Sequence, residues 1–156
     1  MSTTILPLTD FYQLGLVTLD LEAAMARLGA QYGIPRFRLS RPTDWLETAH
    51  AWVGNNMIEL LQVDGANPPP LYADLLPTTG MVTRLHHIGR FVDVADWPAL
   101  QEALVASGLP LPVNYEAMGG GLKVVYVDTR ADLGIYTEYV SLSGEASGYY
   151  EDVPRY

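Results

Sequence analysis

The sequence predicts an α+β fold in which two βαβββ modules follow one another and form a shared, partly open β-barrel cleft. Three observations support this prediction. Strand patterns and helix patterns alternate along the chain, the order of elements begins again after a proline-rich stretch, and polar residues recur at matching strand positions in the two halves. A repeated order of elements indicates a duplicated unit.

The first module is predicted over residues 8–66. Its opening segment, FYQLGLVTL at 11–19, is rich in aromatic and β-branched residues, which is typical of a strand. The helix that follows is capped by Asp20 and ends at Gly33, because a small polar residue suits the first position and glycine suits the last. The remaining strands of this module are predicted at 36–40, 48–54 and 57–64.

A proline-rich linker with one short helix is predicted over residues 65–80. The second module then covers 81–142 and repeats the first: a strand at RLHHIGRFV, a helix at WPALQEALVASG, and strands near VNYEA, LKVVYVD and IYTEYVSL. Residues 143–156 form a C-terminal tail. Its tyrosines either pack on the surface or cap the cleft or a partner subunit.

Overlaying QLG at 13–15 on HIG at 87–89 aligns the two modules and brings two strand glutamates into equivalent positions. Modules related by a pseudo-twofold axis would point equivalent residues into one cleft. A carboxylate among apolar strand residues is costly unless a cation or hydrogen bonds compensate it. The sequence therefore predicts a site for a divalent metal ion formed by Gln13, Glu59, His87 and Glu138.

Composition excludes several classes of function. A formal net charge of −9 repels phosphate backbones and anionic membrane surfaces, so neither nucleic acid nor a membrane is an expected partner. The absence of cysteine removes disulfides and thiolate chemistry. Neither a secretory leader nor a membrane-spanning run is recognisable, so we expect a cytoplasmic protein that acts on a small molecule.

Four segments, QLGLVTLDLEAAMARL, VGNNMIELLQ, LHHIGRFV and VYVDTRADLGIYTEYV, resemble the vicinal oxygen chelate superfamily in their order and spacing. This superfamily includes glyoxalases, bleomycin-resistance proteins and extradiol dioxygenases, and the last two segments resemble its branch of methylmalonyl-CoA epimerase-like proteins. The resemblance covers nearly the whole chain. It implies a homodimer and metal ligands from the first and fourth strands of each module, the four positions already selected by the repeat.

The ligand set is similar to that of eukaryotic-type glyoxalase I, but three positions depart from related patterns. Val17 stands where glyoxalase I has an arginine that contacts glutathione, and Val63 stands where an asparagine would be expected. Glutathione thioesters are therefore not the expected substrates. Ile135 replaces a histidine that is common in the epimerase-like branch, so the role of that histidine is not carried over.

The ligand types favour Lewis-acid chemistry. Non-heme iron oxygenases use two histidines and one carboxylate, whereas Gln13 occupies the first histidine position, which disfavours an extradiol-type dioxygenase. Three oxygen donors and one imidazole suit one ion of Zn, Co, Ni, Mn or Mg. We expect an isomerase, epimerase or lyase that acts through a metal-stabilised enolate, with Glu138 as the base and Glu59 as its symmetric counterpart.

Other residues leave alternatives open. Gln13 could be a buried amide that bonds its neighbours instead of a metal ion, and strand alternation predicts that His86 points away from the cleft as a structural or surface residue. The alternative function is a metal-free protein that binds a hydrophobic or drug-like ligand. For a partly hydrophobic substrate, the residues predicted to line the cleft are His50, Trp52, Phe91 and Met118.

Overall fold

The computed structural model describes residues 6–64 and 68–156, and these residues form two compact units. The first unit contains Tyr12–His87 and Tyr150–Tyr156, and the second contains Ile88–Tyr149 together with the chain up to Phe11. In each unit one helix covers a β-sheet. Of the helices that the structure describes, none has the length and apolar character needed to span a bilayer.

The first unit has the predicted βαβββ order. Strand β1 and helix α1 come first, and β1 lies between β4 and β5 in the sheet order β2-β3-β4-β1-β5. Strands β1 and β4 run parallel, whereas β3 runs antiparallel to both β2 and β4. The elements are β1 Phe11–Thr18, α1 Leu21–Tyr32, β2 Arg38–Thr43, β3 Leu46–Val53, β4 Asn56–Val63 and a short helix α2, Pro70–Ala73.

Both predicted ends of α1 are confirmed. The Asp20 side chain accepts a hydrogen bond from the Ala23 N–H at 2.9 Å, and Gly33 adopts the left-handed conformation with φ 69°. The predicted linker helix is present as α2, and residues 65–67 of that linker lie outside the described residues.

The second unit repeats the βαβββ order, with one additional short helix. Strand β5 crosses the boundary between the units after His87, and the order of strands is β5-β8-β7-β6. The elements are β5 Thr83–Phe91, α3 Trp97–Ser107, β6 Val113–Ala117, β7 Leu122–Val127, α4 Arg130–Leu133 and β8 Tyr136–Leu142. The predicted α+β class and module order are thus confirmed, whereas the cleft shared by the modules stays a prediction.

Helices α1 and α3 each cover one face of the sheet in their unit, and the candidate residues Glu59 and Glu138 lie on the opposite faces. Helix α1 packs Leu21 and Ala24 against Ala49 and Leu60. Because side chains alternate along a strand, the residue beside Leu60, Glu59, lies on the helix-free face. In the second unit, α3 packs against a cluster that includes Val125, Val127 and Tyr139. By the same alternation Glu138 lies on the helix-free face of β8.

Tyr139 anchors the N-terminal segment to the second unit, because its hydroxyl donates a hydrogen bond to the Pro7 carbonyl at 2.9 Å. Burial raises the pKa of Tyr139 to about 12, although the nearby Arg90 charge acts in the opposite direction. An unfolded tyrosine ionises near pH 10. The stabilising contribution of the neutral phenol is therefore complete below about pH 10 and is lost as the pH rises towards about 12.

We expect Tyr139→Phe to lower the free energy of unfolding by about 1 kcal/mol at neutral pH, the typical value of one hydrogen bond. The variant should also lose less stability than the wild type between pH 10 and pH 12, roughly the interval between the two pKa values. Urea unfolding across this range measures both effects. The control is Tyr115→Phe, at a tyrosine that is 48% exposed. If the free energy of unfolding of Tyr139→Phe falls as much between about pH 10 and pH 12 as that of the wild type, Tyr139 is not the group responsible for the alkaline loss of stability.

Candidate functional site

A polar cluster formed by Gln13, His50, Glu59 and His87 lies on the helix-free face of the first unit. Strand pairing explains why these residues meet: His50 on β3 is directly opposite Glu59 on β4, and Gly15 on β1 is the parallel partner of Glu59. Gln13, His50 and His87 are buried, and 12% of the Glu59 side chain is exposed.

Glu59 is held between two imidazoles. His50 Nε2–H donates a hydrogen bond to Glu59 Oε1 at 2.9 Å, and His87 Nε2 lies 3.2 Å from Glu59 Oε2. The same His87 nitrogen lies 3.2 Å from the Gln13 amide oxygen Oε1. His87 Nε2 is therefore the atom at which the carboxylate and the amide converge.

The histidine contacts keep Glu59 ionised. Burial raises the pKa of Glu59, but the interactions with His50 and His87 outweigh it and hold the pKa well below its usual range. An ionised carboxylate with a low pKa is a good ligand for a cation and a weak proton acceptor. The cluster thus favours cation binding by Glu59 over a role as general base.

Gly15 provides the space that the His87 ring occupies. A Cβ atom built at this glycine would overlap the Cε1, Nδ1 and Nε2 atoms of the imidazole. Only a residue without a side chain allows the ring to lie against β1 beside Glu59. The QLG segment therefore provides both the Gln13 oxygen and, at Gly15, the space for the His87 ring.

His86 is buried together with His87 and is not a surface residue. Its ring stacks on Tyr72 with a centroid distance of 5.0 Å, and its Nε2 lies 2.8 Å from the Leu71 carbonyl oxygen. Strand alternation predicts that the side chains of His86 and His87 point to opposite faces of the sheet. Instead the imidazoles meet edge to face, with their Nδ1 atoms 3.0 Å apart, because these rings are long enough to reach one another beside the strand.

The C-terminal tail packs beside the polar cluster in the first unit. The Tyr150 ring lies 5.8 Å from the His50 ring, and Arg38 forms an ion pair with Asp152 at 2.7 Å. Backbone hydrogen bonds join the tail to β3, among them the Trp52 N–H to the Pro154 carbonyl at 2.8 Å. Tyr150 therefore lies beside the polar cluster, and a capping role for the tail stays a prediction.

The other predicted site residues have different environments. Trp52 is buried in an apolar cluster with Tyr12 and Met57. Phe91 is 38% exposed and Met118 is 42% exposed, and Phe91 lines a cavity of about 400 Å³ on the α3 side of the second unit. Contact of these residues with a substrate stays a prediction.

Glu138 is buried on β8, in register with Tyr126 on β7. The first unit alone brings Gln13, Glu59 and His87 together. The convergence of Glu138 with these three residues stays a prediction.

A cavity of about 770 Å³ in the first unit lies at the start of α1 and is lined by residues that include Asp20, Met25 and Arg41. The polar cluster is elsewhere in this unit.

The donor set of the polar cluster suits a divalent metal ion. Ligand atoms about 2.1 Å from an ion in tetrahedral or octahedral geometry are separated by about 3.0 to 3.4 Å, and both contacts of His87 Nε2 measure 3.2 Å. Glu59 Oε2 is buried and has no well-aligned hydrogen bond within the described residues. Over 6–64 and 68–156, no three His, Asp or Glu side chains are grouped to hold a metal ion, so the Gln13 oxygen is needed as a ligand.

Comparison with known proteins places the chain in a fold class: it has the fold of the vicinal oxygen chelate superfamily. Within that superfamily the similar solved structures include methylmalonyl-CoA epimerases. One is a single-residue variant from Streptomyces coelicolor in complex with 2-nitronate-propionyl-CoA, with 18% identity, a TM-score of 0.64, and coverage of 90% of this chain and 99% of that chain.

Two further structures support the same fold. The methylmalonyl-CoA epimerase of Mycobacterium tuberculosis has 17% identity and a TM-score of 0.62, covering 93% of this chain and 95% of that chain. A hypothetical protein of Bacillus halodurans has 16% identity and a TM-score of 0.62, covering 88% and 97%. No protein-family model and no curated protein matches the chain. The similarity therefore establishes the fold.

We expect Gly15→Ala to destabilise the protein by about 1 to 3 kcal/mol, the usual cost of overpacking, because the new Cβ displaces the His87 ring. Thermal and urea unfolding measure this cost. Repeating the substitution in a His87→Ala background should remove most of it, since the ring is then absent. An equal cost in both backgrounds would show that His87 does not occupy this space.

Proposed function

We propose that the protein is a metal-dependent isomerase of the epimerase type, which removes and returns a proton on the carbon next to a carbonyl group. The observation that carries this proposal is the ionised Glu59, held between two imidazoles with the Gln13 oxygen beside His87 Nε2. A buried anion surrounded by further donor atoms is stabilised by a bound cation.

Gln13, Glu59 and His87 would hold the divalent ion, and the superfamily resemblance implies Glu138 as the fourth ligand. Such an ion supplies Lewis-acid chemistry, which draws electron density from a substrate carbonyl and makes the neighbouring C–H more acidic. His50 supports Glu59, because its hydrogen bond to Oε1 fixes the carboxylate and leaves Oε2 directed at His87.

We assign the proton transfer to Glu138. A general base needs a pKa near the working pH, and Glu59 does not meet this requirement because its pKa is held low. Glu138 is buried on the helix-free face of β8, flanked in sequence by Thr137 and Tyr139. The superfamily resemblance and the equivalence of Glu138 and Glu59 in the two modules support Glu138 in this role.

We assign the substrate to the acyl thioesters, because the similar structures are named for a CoA thioester. The net charge of −9 does not favour a multiply phosphorylated carrier. Arg38 is also paired with Asp152, and Arg41 with Glu47. We therefore expect recognition to depend on the acyl group and to depend little on the nucleotide part of CoA.

The test is exchange of the α-proton in deuterated water, followed by NMR, with methylmalonyl-CoA and its N-acetylcysteamine thioester as probes. We expect exchange with both probes that depends on added divalent metal ion. Absence of exchange with both probes, in protein shown to contain the ion, would refute the proposed activity. Exchange with the CoA thioester alone would refute the expected independence of the nucleotide.

Replacing Glu138 with Gln should lower the exchange rate by about 100-fold or more, since general-base catalysis contributes about 10² to 10⁴ in rate. The matched control is Glu116→Gln, at a glutamate of the same unit whose side chain is 57% exposed. This control should exchange like the wild type. Full activity in Glu138→Gln would show that another group moves the proton.

A metal-free binding protein is the second candidate, and the aromatic side chains beside the polar cluster favour it. Tyr12 lies 6.1 Å from Trp52 and 6.2 Å from Tyr150, measured between ring centroids, and such rings suit a hydrophobic or aromatic ligand. Elemental analysis after dialysis separates the two candidates. About one ion per chain supports the enzyme, as expected for a mononuclear site, and none after metal is supplied supports the binding protein.

The homodimer implied by the superfamily resemblance belongs to the same proposal. Light scattering of the purified protein would measure a mass twice that of the chain. A mass equal to that of the single chain would contradict it.

A further inference from the structure

A cavity of about 400 Å³ in the second unit is lined by the end of β5 and the start of α3. Its lining combines three charged residues, Arg90, Asp93 and Asp96, with apolar residues that include Leu100 and Ala103 of α3. None of these residues belongs to the polar cluster. The volume of the cavity is within the range of small-molecule sites, about 300 to 1,000 Å³.

The guanidinium of Arg90 is the group in this cavity that lacks a partner. Arg90 is half-buried, and its Nε and Nη1 atoms are buried with no hydrogen-bond partner within residues 6–64 and 68–156. Strand alternation places its side chain on the same face as that of Val92, which packs in the apolar cluster beneath α3. A permanently charged group in such surroundings is costly while it is unpaired. A negatively charged group bound in the cavity would reduce this cost.

The two aspartates of the cavity do not supply that negative group. Asp93 and Asp96 are exposed and line the same cavity, but neither is a hydrogen-bond partner of Arg90 Nε or Nη1. A ligand with a single negative charge would be attracted by Arg90 and repelled by both aspartates. A ligand that carries an ammonium group beside its carboxylate is attracted by all three. The lining therefore favours a zwitterion over a simple anion.

The first turn of α3 agrees with this arrangement. Ala99 lines the cavity and is the third residue of α3, a position whose backbone N–H has no partner inside the helix. An aspartate at the N-cap usually accepts a hydrogen bond from such an N–H, but Asp96 makes no side-chain capping bond. The N–H of Ala99 is therefore available to a carboxylate, and the side chain of Asp96 is available to an ammonium group.

We propose that this cavity binds a free α-amino acid with an apolar side chain. Arg90 binds the carboxylate, the two aspartates bind the ammonium group, and Leu100 and Ala103 contact the side chain. Hydrogen bonds from a guanidinium to a carboxylate are among the strongest in proteins. An α-amino acid carries its two charged groups on one carbon, which suits opposite charges that border one small cavity. The site requires no metal ion, so it does not depend on the proposed function.

The first test compares leucine with two analogues that each lack one charged group, 4-methylpentanoate and 3-methylbutylamine. Isothermal titration calorimetry of the wild-type protein measures the three dissociation constants. We expect a dissociation constant of about 1 mM or lower for leucine. Each analogue should bind about 10-fold or more weakly, because it has lost hydrogen bonds between charged groups. Absence of leucine binding, or an analogue that binds as tightly as leucine, would overturn the proposal.

The second test replaces Arg90 with methionine, which removes the charge and keeps an unbranched side chain. We expect leucine to bind Arg90→Met about 10-fold or more weakly. Without leucine, the melting temperature should be unchanged or higher, because an unpaired charge has been removed. Leucine should raise the melting temperature of the wild type and of the control Arg27→Met, at an exposed arginine of α1, but not that of Arg90→Met.

Two results of this test would contradict the proposal. A lower melting temperature of Arg90→Met without leucine would show that the guanidinium already has a structural partner. Leucine binding equal to that of the wild type would show that the amino acid binds elsewhere.

The double variant Asp93→Asn, Asp96→Asn tests the aspartates, and both positions are exposed. We expect 4-methylpentanoate to bind this variant more tightly than it binds the wild type, because the repulsion is removed. The preference for leucine over 4-methylpentanoate should disappear. If that preference persists, the aspartates do not bind the ammonium group and the proposal is wrong.

Discussion

The pairing of Glu59 with two histidines is the interaction on which the rest of the site depends. A carboxylate in the interior of a sheet is strongly disfavoured unless other groups stabilise its charge. His50 approaches it from the neighbouring strand β3 at 2.9 Å, and His87 approaches from β5 at 3.2 Å. The result is an anionic centre on the face of the first unit that its helix does not cover.

Close packing of His87 against β1 makes that centre possible. Gly15 has no side chain, so the imidazole lies against the strand, where one nitrogen contacts Gln13 and Glu59 and the other contacts His86. Each contact restricts the next: Leu71 orients His86, His86 orients His87, and His87 faces the carboxylate. A line of contacts thus joins the Leu71 carbonyl, through both imidazoles, to Glu59.

Much of the fold was predictable because it depends on local signals. Asp20 and Gly33 mark the ends of α1, and alternating residues mark the strands. Register is less predictable. Val53 pairs with Asn56, so the turn after β3 comprises Gly54 and Asn55, and this register places His50 opposite Glu59. The strand patterns predict the two strands but not their register, and a different register would give His50 another strand partner.

The sequence alone determined the α+β class, the repeated order of elements, and the four candidates Gln13, Glu59, His87 and Glu138, because periodicity and repetition are properties of the chain itself. Only the tertiary structure decided how those side chains are paired. It showed that His50 and His86 belong to the same network and that the C-terminal tail lies beside it. Such contacts join positions far apart in the chain, and their distances and hydrogen-bond directions depend on register and side-chain packing, which no local pattern specifies.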